Sequence, residues 1–304
     1  MAQLFGRSLP ITTTNSTPPG PRGGFIRGSL AQMNNDYLGF FAGLARDYGD
    51  ISTFRLGPVR CCLVNRPEWI EEILVRDAAN YTKTWDYKAL KTILGDGLVT
   101  SEGDLWRRQR RLVQPAFDHN RMDGYIARFG DRTAEMLETW EGGTQLNIHQ
   151  QMMRLTLRIV GDALFSSELG EETIEVAEMM ASVNEQFGKM FSGGLGGLLL
   201  IVPSAVKLLF RSKLKRVDRI IHRMIEWHRG PDGVQDDLVG MLLAARDENG
   251  SGMADRQIRD EIMTILLAGH ETTALALFYS LHLISRHPEM EQRLLEECSG
   301  VLEG

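Results

Sequence analysis

The sequence predicts a mainly α fold with a small β hairpin region near the N-terminus. Three observations carry that prediction. Apolar residues recur with helical periodicity, broken by glycine-rich punctuation, from residue 86 onward, and strand-like runs are confined to the part before residue 70. One helical pattern, about 254–286, runs on far beyond the usual three or four turns. The 304 residues are 43% apolar and 24% charged, enough material for a buried core, so global disorder is excluded.

Residues 1–30 read as a polar, proline-rich leader. Met1 to Thr17 lacks the apolar centre of a signal peptide, so the sequon Asn15-Ser16-Thr17 is taken as chance. Prolines make Pro18 to Gly24 stiff and non-helical. From Asn35 the period turns helical, with Leu38, Phe41 and Leu44 in one row, and Asp47 to Asp50 ends it. Ile51–Leu56 and Val59–Val64, joined by Gly57-Pro58, read as a hairpin or adjacent strands. Pro67 opens a helix with Trp69, Ile70, Ile73 and Leu74 on its apolar face. Further helices are predicted near 86–94, 104–116, 119–140, 147–165, 171–191, 205–228, 236–247, 254–286 and 288–300. The run Gly193 to Gly197 is a break, and Asp247 to Gly252 is a polar loop.

Charge and cysteine usage narrow the function classes. Thirty-four basic against forty acidic side chains leave a net charge of −6, which argues against a general nucleic-acid binder. Three cysteines without C-x-x-C spacing exclude a disulfide scaffold and a zinc ribbon, and suggest a reducing, cytoplasmic setting. The apolar stretch Leu195 to Phe210 contains Pro203, Ser204 and Lys207, so no transmembrane segment is expected. A soluble protein with at most peripheral membrane contact near 195–216 is the expectation.

The long helix spans roughly 48 Å at 1.5 Å per residue and must cross the domain. Its face runs Ile258, Ile262, Ile265, Leu266, Gly269, Thr272, Thr273, Ala276, Leu277, Leu281 and Ile284. At its middle stands Ala268-Gly269-His270-Glu271-Thr272-Thr273. A zinc-protease reading fails, because H-E-x-x-H needs a second histidine and position 274 is Ala. Two readings stay open. In one, Gly269 permits close helix packing and the threonines bond back to the preceding turn. In the other, Gly269 lets a small ligand press on the backbone and Thr272 bulges the helix through the Ala268 carbonyl. There Glu271 supplies protons to a bound diatomic.

A second cluster is Trp106-Arg107-Arg108-Gln109-Arg110-Arg111. Trp106 and Arg110 are four apart and share a helix face, where an indole N–H and a guanidinium can clamp a carboxylate. Arg107, Arg108 and Arg111 either face solvent or dock an acidic partner.

Taken together, Gly95 to Phe117 and Asp236 to Ala274 closely resemble the cytochrome P450 family of haem-thiolate monooxygenases. The leader PPGPRG, the strand pair FRLGPVRCCLV and the run HPEMEQRLLEE fit in order and spacing. The resemblance implies the P450 fold over 31–304 as a partial domain. It matches Trp106 and Arg110 to the pair that binds a haem propionate. Ala268, Gly269, Glu271 and Thr272 match the oxygen-groove motif that guides protons, and Thr273 its second threonine. It further implies haem b, dioxygen, a small apolar substrate, and electrons from NAD(P)H through a separate reductase or ferredoxin.

Two family elements are missing. E-x-x-R occurs only as Glu226 to Arg229, ahead of the long helix instead of after it. Cys61 has the spacing of the haem-ligand loop from Phe54 and Gly57, but Val59 and Leu63 replace its Arg/His and final Gly. Cys61 and Cys62 therefore read as strand cysteines, and Cys298 lies beside Glu296 and Glu297 in a charged helix. The expectation is an N-terminal fragment, inactive alone, with the axial cysteine beyond Gly304. The alternative is a non-catalytic helical protein binding a partner or membrane surface through Lys207, Arg211, Lys213, Lys215, Arg216 and Arg219. Trp85, Leu90 and Phe187 are substrate-pocket candidates.

Overall fold

The computed structural model describes residues 17–84, 86–165, 203–231 and 236–302, with Val176, Met179 and Gly233. The glycine run 193–197 and nearly all of the helix predicted at 171–191 lie outside them. Contacts group the chain into two compact units, which meet in sequence between Thr82 and Lys83.

In the first unit, α1 (Leu30–Asn35) and α2 (Tyr37–Tyr48) precede the antiparallel strands β1 (Ile51–Leu56) and β2 (Val59–Val64). The sequence missed the split between the helices. Asp36 makes it: its backbone is extended and its Oδ1 accepts from the Gly39 N–H at 2.9 Å, an N-cap for α2. The hairpin is as expected, with Ile51 opposite Val64 and Leu56 opposite Val59, turned by Gly57 at φ +60°. Phe54 is buried edge-on to Phe40 and Phe41, which fixes α2 on the hairpin. The leader lies along β1, where the Pro18 and Pro19 carbonyls accept from the Thr53 hydroxyl at 2.7 Å and the Thr53 N–H at 2.8 Å.

After α3 (Pro67–Glu71) comes a π turn, Glu72–Arg76. Ile73 is half-buried, but Trp69, Ile70 and Leu74 are exposed. A π turn holds one residue more than an α turn, so it moves Leu74 off the row begun by Ile70.

The second unit contains α4 (Asp86–Leu94), α5 (Gly103–Val113), α6 (His119–Glu138), α7 (Ile148–Phe165), α8 (Pro203–Arg229), α9 (Leu238–Ala244), α10 (Asp255–Ile284) and α11 (Pro288–Leu302). The proline that interrupts the apolar stretch opens α8, where its missing N–H costs nothing. Helix α9 is shorter than expected because Asp237 caps it and the backbone at Ala245 is extended.

Helix α10 packs lengthwise on α7. Its buried row is Ile258, Ile262, Leu266, His270 and Ala274, spaced by four. The expected stripe holds as far as Leu266 and then parts from it: Thr272, Thr273, Ala276, Leu277 and Leu281 are exposed, and His270 is buried in their place. By length and composition α10 could cross a membrane, yet it also buries Arg259, Asp260 and Glu261 within the protein.

A buried ion pair joins α8 to α9. His228 Nδ1 lies 2.7 Å from the Met224 carbonyl and Nε2 lies 2.8 Å from Asp237 Oδ2. Both neighbours are acceptors, an arrangement that favours hydrogen on both ring nitrogens. Burial pushes its pKa down, but the Asp237 and Met224 hydrogen bonds and the Asp237 charge outweigh it, and the net direction is up. A raised folded pKa means that this stabilisation is complete below the free-imidazole value of about 6.5 and is lost as pH rises through the folded value. Ring 15N shifts should show His228 doubly protonated at pH 7; titration at or below the free value would remove the ion pair.

Candidate functional site

On α10 the Thr272 hydroxyl donates to the Ala268 carbonyl at 2.6 Å, and the Thr273 hydroxyl to the Gly269 carbonyl at 2.8 Å. The expected bulge is not there, since α10 is α-helical throughout Asp255–Ile284. A carbonyl has two lone pairs, so it can accept from a hydroxyl and keep its helical N–H. Ala268, Thr272 and Thr273 are exposed, while Glu271 is half-buried.

The bare side of Gly269 is turned toward α7: a Cβ there would lie 3.2 Å from Val160 Cγ2. The glycine thus permits a close helix crossing, as one of the two readings of the sequence requires. Beside it, the Thr156 hydroxyl donates to the His270 carbonyl at 2.9 Å, and His270 Nδ1 lies 2.9 Å from the Leu266 carbonyl. These contacts fix the rotation of α10 and so decide which side presents Thr272. His270 and Thr156 were not legible as positioning residues, because their partners lie on another helix.

The arginines of α5 are sorted by their partners. Arg107 pairs with Asp104, and Arg111 with Glu248. Arg108 is the half-buried one: its Nε donates to Asp247 Oδ2 at 2.7 Å, and Nη2 to the Gly252 carbonyl at 3.0 Å. Its hydrogen bond to Asp247 holds that carboxyl below its ordinary value. Arg108 therefore fastens the 247–252 loop to α5, correcting the expectation that it faces solvent or a partner. Arg110 has no carboxylate partner among the described residues. Its guanidinium lies over the Trp106 ring, 5.3 Å from the centroid, so the two side chains share one helix face.

The segment leading into α5 is held from α10. Asp260 Oδ2 accepts from the Asp96 N–H at 2.8 Å, and Glu261 Oε2 from the Leu98 N–H at 2.9 Å. From the other side, Gln109 Nε2 donates to the Asp96 carbonyl, and Arg108 Nη1 donates to Gln257 Oε1 of α10 at 3.3 Å. The Trp106–Arg110 pair and the 268–273 segment thus sit on separate helices tied through these bonds. Glu261 is fully buried. Burial, reinforced by the Asp260 charge and opposed by the Leu98 N–H, pushes its carboxyl up to about 7.

The remaining sequence candidates place as follows. Cys61 and Cys62 lie in β2 opposite Phe54 and Thr53, with both thiols pushed up by burial, as befits strand cysteines. Leu90 is half-buried against the core, whereas Trp85 and Phe187 lie outside the described residues.

A carboxylate-bearing group is compatible with the chemistry of Arg110, which is stacked on Trp106 and has no carboxylate partner among the described residues. The stacked Arg110 can take a carboxylate without breaking an existing ion pair, and Ala268 and Thr272 offer a small-residue side. The family model described as Cytochrome P450 matches residues 18–304. Pentalenene oxygenase of Streptomyces avermitilis is 33% identical over 92% of this chain and 62% of its own length. Cyclooctatin synthase of Streptomyces melanosporofaciens is 35% identical over 93% of the chain and 62% of its own. The cyclooctat-9-en-7-ol 5-monooxygenase of the same organism is 31% identical over 97% and 66%. The chain thus spans less than two thirds of the length of these relatives. The crystal structure of the cytochrome P450DA heme domain superposes with a TM-score of 0.77 at 23% identity, over 91% of this chain and 62% of that one. That likeness gives the fold.

The raised Glu261 carboxyl generates a pH prediction. Its folded value, about 7 against an ordinary 4.5, means that its contribution is complete below about 4.5 and falls as pH rises through about 7. The unfolding free energy from urea titrations should drop over that interval in the wild type, by an amount on the order of 3 kcal/mol. The slope should be flatter in Glu261→Gln. Equal slopes would rule out Glu261 as the titrating group.

Proposed function

The chain belongs to the cytochrome P450 family, and on that premise we propose that it forms part of a haem-dependent monooxygenase. That enzyme would insert one atom of dioxygen into a small apolar substrate. The observation that carries the reading is the α5 sorting: three arginines are taken up by carboxylates, while Arg110 is stacked on Trp106 with none among the described residues.

When bound, haem b supplies the reductive activation of dioxygen, with electrons drawn from NAD(P)H through a separate reductase or ferredoxin. Trp106 and Arg110 would hold a propionate, the indole N–H and the planar guanidinium giving a charge-assisted clamp. Ala268 and Thr273 would border the group on α10, with Gly269 setting the depth at which α10 lies against α7.

Thr272 and Glu271 are the proposed proton carriers. The Thr272 hydroxyl has one hydrogen, parked on the Ala268 carbonyl at 2.6 Å. Rotation about its side-chain bond turns that hydrogen outward, and the carbonyl keeps its helical N–H meanwhile. Glu271, next in the chain and half-buried, is a carboxyl that can refill the hydroxyl from solvent. The names of two relatives, pentalenene oxygenase and cyclooctat-9-en-7-ol 5-monooxygenase, favour an apolar carbon skeleton as substrate. A cytoplasmic, soluble enzyme is the accompanying proposal.

Two substitutions in the haem-loaded enzyme test this. Thr272→Ala should keep NAD(P)H consumption but lower product per electron roughly tenfold or more, with hydrogen peroxide making up the balance. Unchanged product yield per electron would remove Thr272 from proton delivery. Arg110→Leu should lower haem retention several-fold while helicity by circular dichroism stays constant. In the wild type, label from 18O2 should appear in the product; oxygen arriving from water would overturn the monooxygenase reading.

A further inference from the structure

A cleft of about 950 Å3 opens between the end of α4, one face of α8 and the first turns of α10. It is separate from Trp106, Arg110 and the 268–273 segment. Its α8 wall carries Leu208, Arg211, Leu214 and Lys215, and its α10 wall carries Arg256. The spacing of three and four puts the α8 residues in one row along the helix.

The carboxylates at this cleft are already committed. Arg259 bridges the two walls, with Nη2 2.7 Å from Asp218 Oδ1 and Nη1 2.9 Å from Asp260 Oδ1. The other oxygen of Asp260 holds the Asp96 N–H, and Asp96 itself pairs with Lys91. Arg211, Lys215 and Arg256 have no ion-pair partner among the described residues. Three uncompensated cations thus face one concavity, in a chain whose net charge is −6. Low-dielectric walls focus such a field on an anion. Leu208, 70% exposed, supplies an apolar flank beside the charges, with the largely buried Leu214 of the core at its base.

We propose that this cleft binds an amphiphilic organic anion. A phosphate or carboxylate head would lie among Arg211, Lys215 and Arg256, with an apolar chain along Leu208 and Leu214. The cations line a concavity, which suits a single headgroup better than a bilayer plane. This divides the basic run of α8: Arg211 and Lys215 serve the cleft, whereas Lys213, Arg216 and Arg219 do not line it.

Titration calorimetry of the haem-loaded protein with decyl phosphate, kept below its aggregation concentration, should give one saturable site. Arg211→Glu combined with Arg256→Glu should weaken it at least tenfold, and Lys215→Gln alone several-fold, whereas Arg286→Glu, a charge reversal at an exposed position outside the cleft, should leave it intact. Decyltrimethylammonium should not bind. Lys215→Gln keeps the test decisive if the double variant does not fold. Affinity unchanged by the cleft substitutions, or equal affinity for the cationic amphiphile, would overturn the site. Inorganic phosphate binding as tightly as decyl phosphate would overturn the amphiphile. Tighter binding to phosphatidylglycerol vesicles, abolished by the same substitutions, would overturn the soluble ligand in favour of a membrane surface.

Discussion

Two adjacent carboxylates near the start of the long helix hold the backbone that delivers α5, and the candidate cofactor site depends on that grip. Asp260 and Glu261 accept from the N–H groups of Asp96 and Leu98. Such bonds need the loop backbone to come very close to α10. A Cβ at Gly97 would lie 2.1 Å from Thr264 Oγ1 and 2.5 Å from the Asp260 carbonyl oxygen. Gly95, at φ +74°, makes the turn that brings the loop there. The cost of the arrangement is electrostatic: an ionised Glu261 in a fully buried place is disfavoured, and its carboxyl is pushed up to about 7.

The second constraint is the crossing of α7 and α10, where packing and polar contacts act at the same level of the helices. Val160 fills the space that a side chain at 269 would need, and Thr156 reaches the very next carbonyl. Because the His270 ring is also buried and bonded to its own helix, α10 cannot roll without exposing it. The side carrying Ala268 and Thr272 is therefore held by contacts made on the buried side of the helix. An α-helical segment held this firmly also accounts for the missing bulge: the threonine hydroxyls add bonds to carbonyls without taking the existing ones away.

What the sequence revealed follows from interaction range. The hairpin was legible because period-two runs flank Gly57-Pro58, a local signal. The pairing of Trp106 with Arg110 was legible because four residues make one helical step. Arg108 was not, since Asp247 is 139 residues away in the chain and nothing local distinguishes one arginine of the run from another. Glu261 was hidden for the same reason: its partner Leu98 is 163 positions distant, so no local pattern singles it out. The stripe along α10 was right as far as Leu266 and wrong beyond it, where the buried row continues through His270 and Ala274.

An exposed arginine without a carboxylate is ordinary on a protein surface, and Arg286 is one among the described residues. Exposed ion pairs are worth little, so their absence is weak evidence of anything. Surroundings change that inference. Arg110 is stacked over an indole, which fixes the plane of its guanidinium in advance and lowers the entropy lost when a carboxylate arrives. Arg211 and Lys215 gain meaning from a concavity whose own acids are engaged by Arg259 and Asp96. In both places pre-organisation by neighbours, a ring in one case and spent carboxylates in the other, turns a common surface charge into a site for an anion.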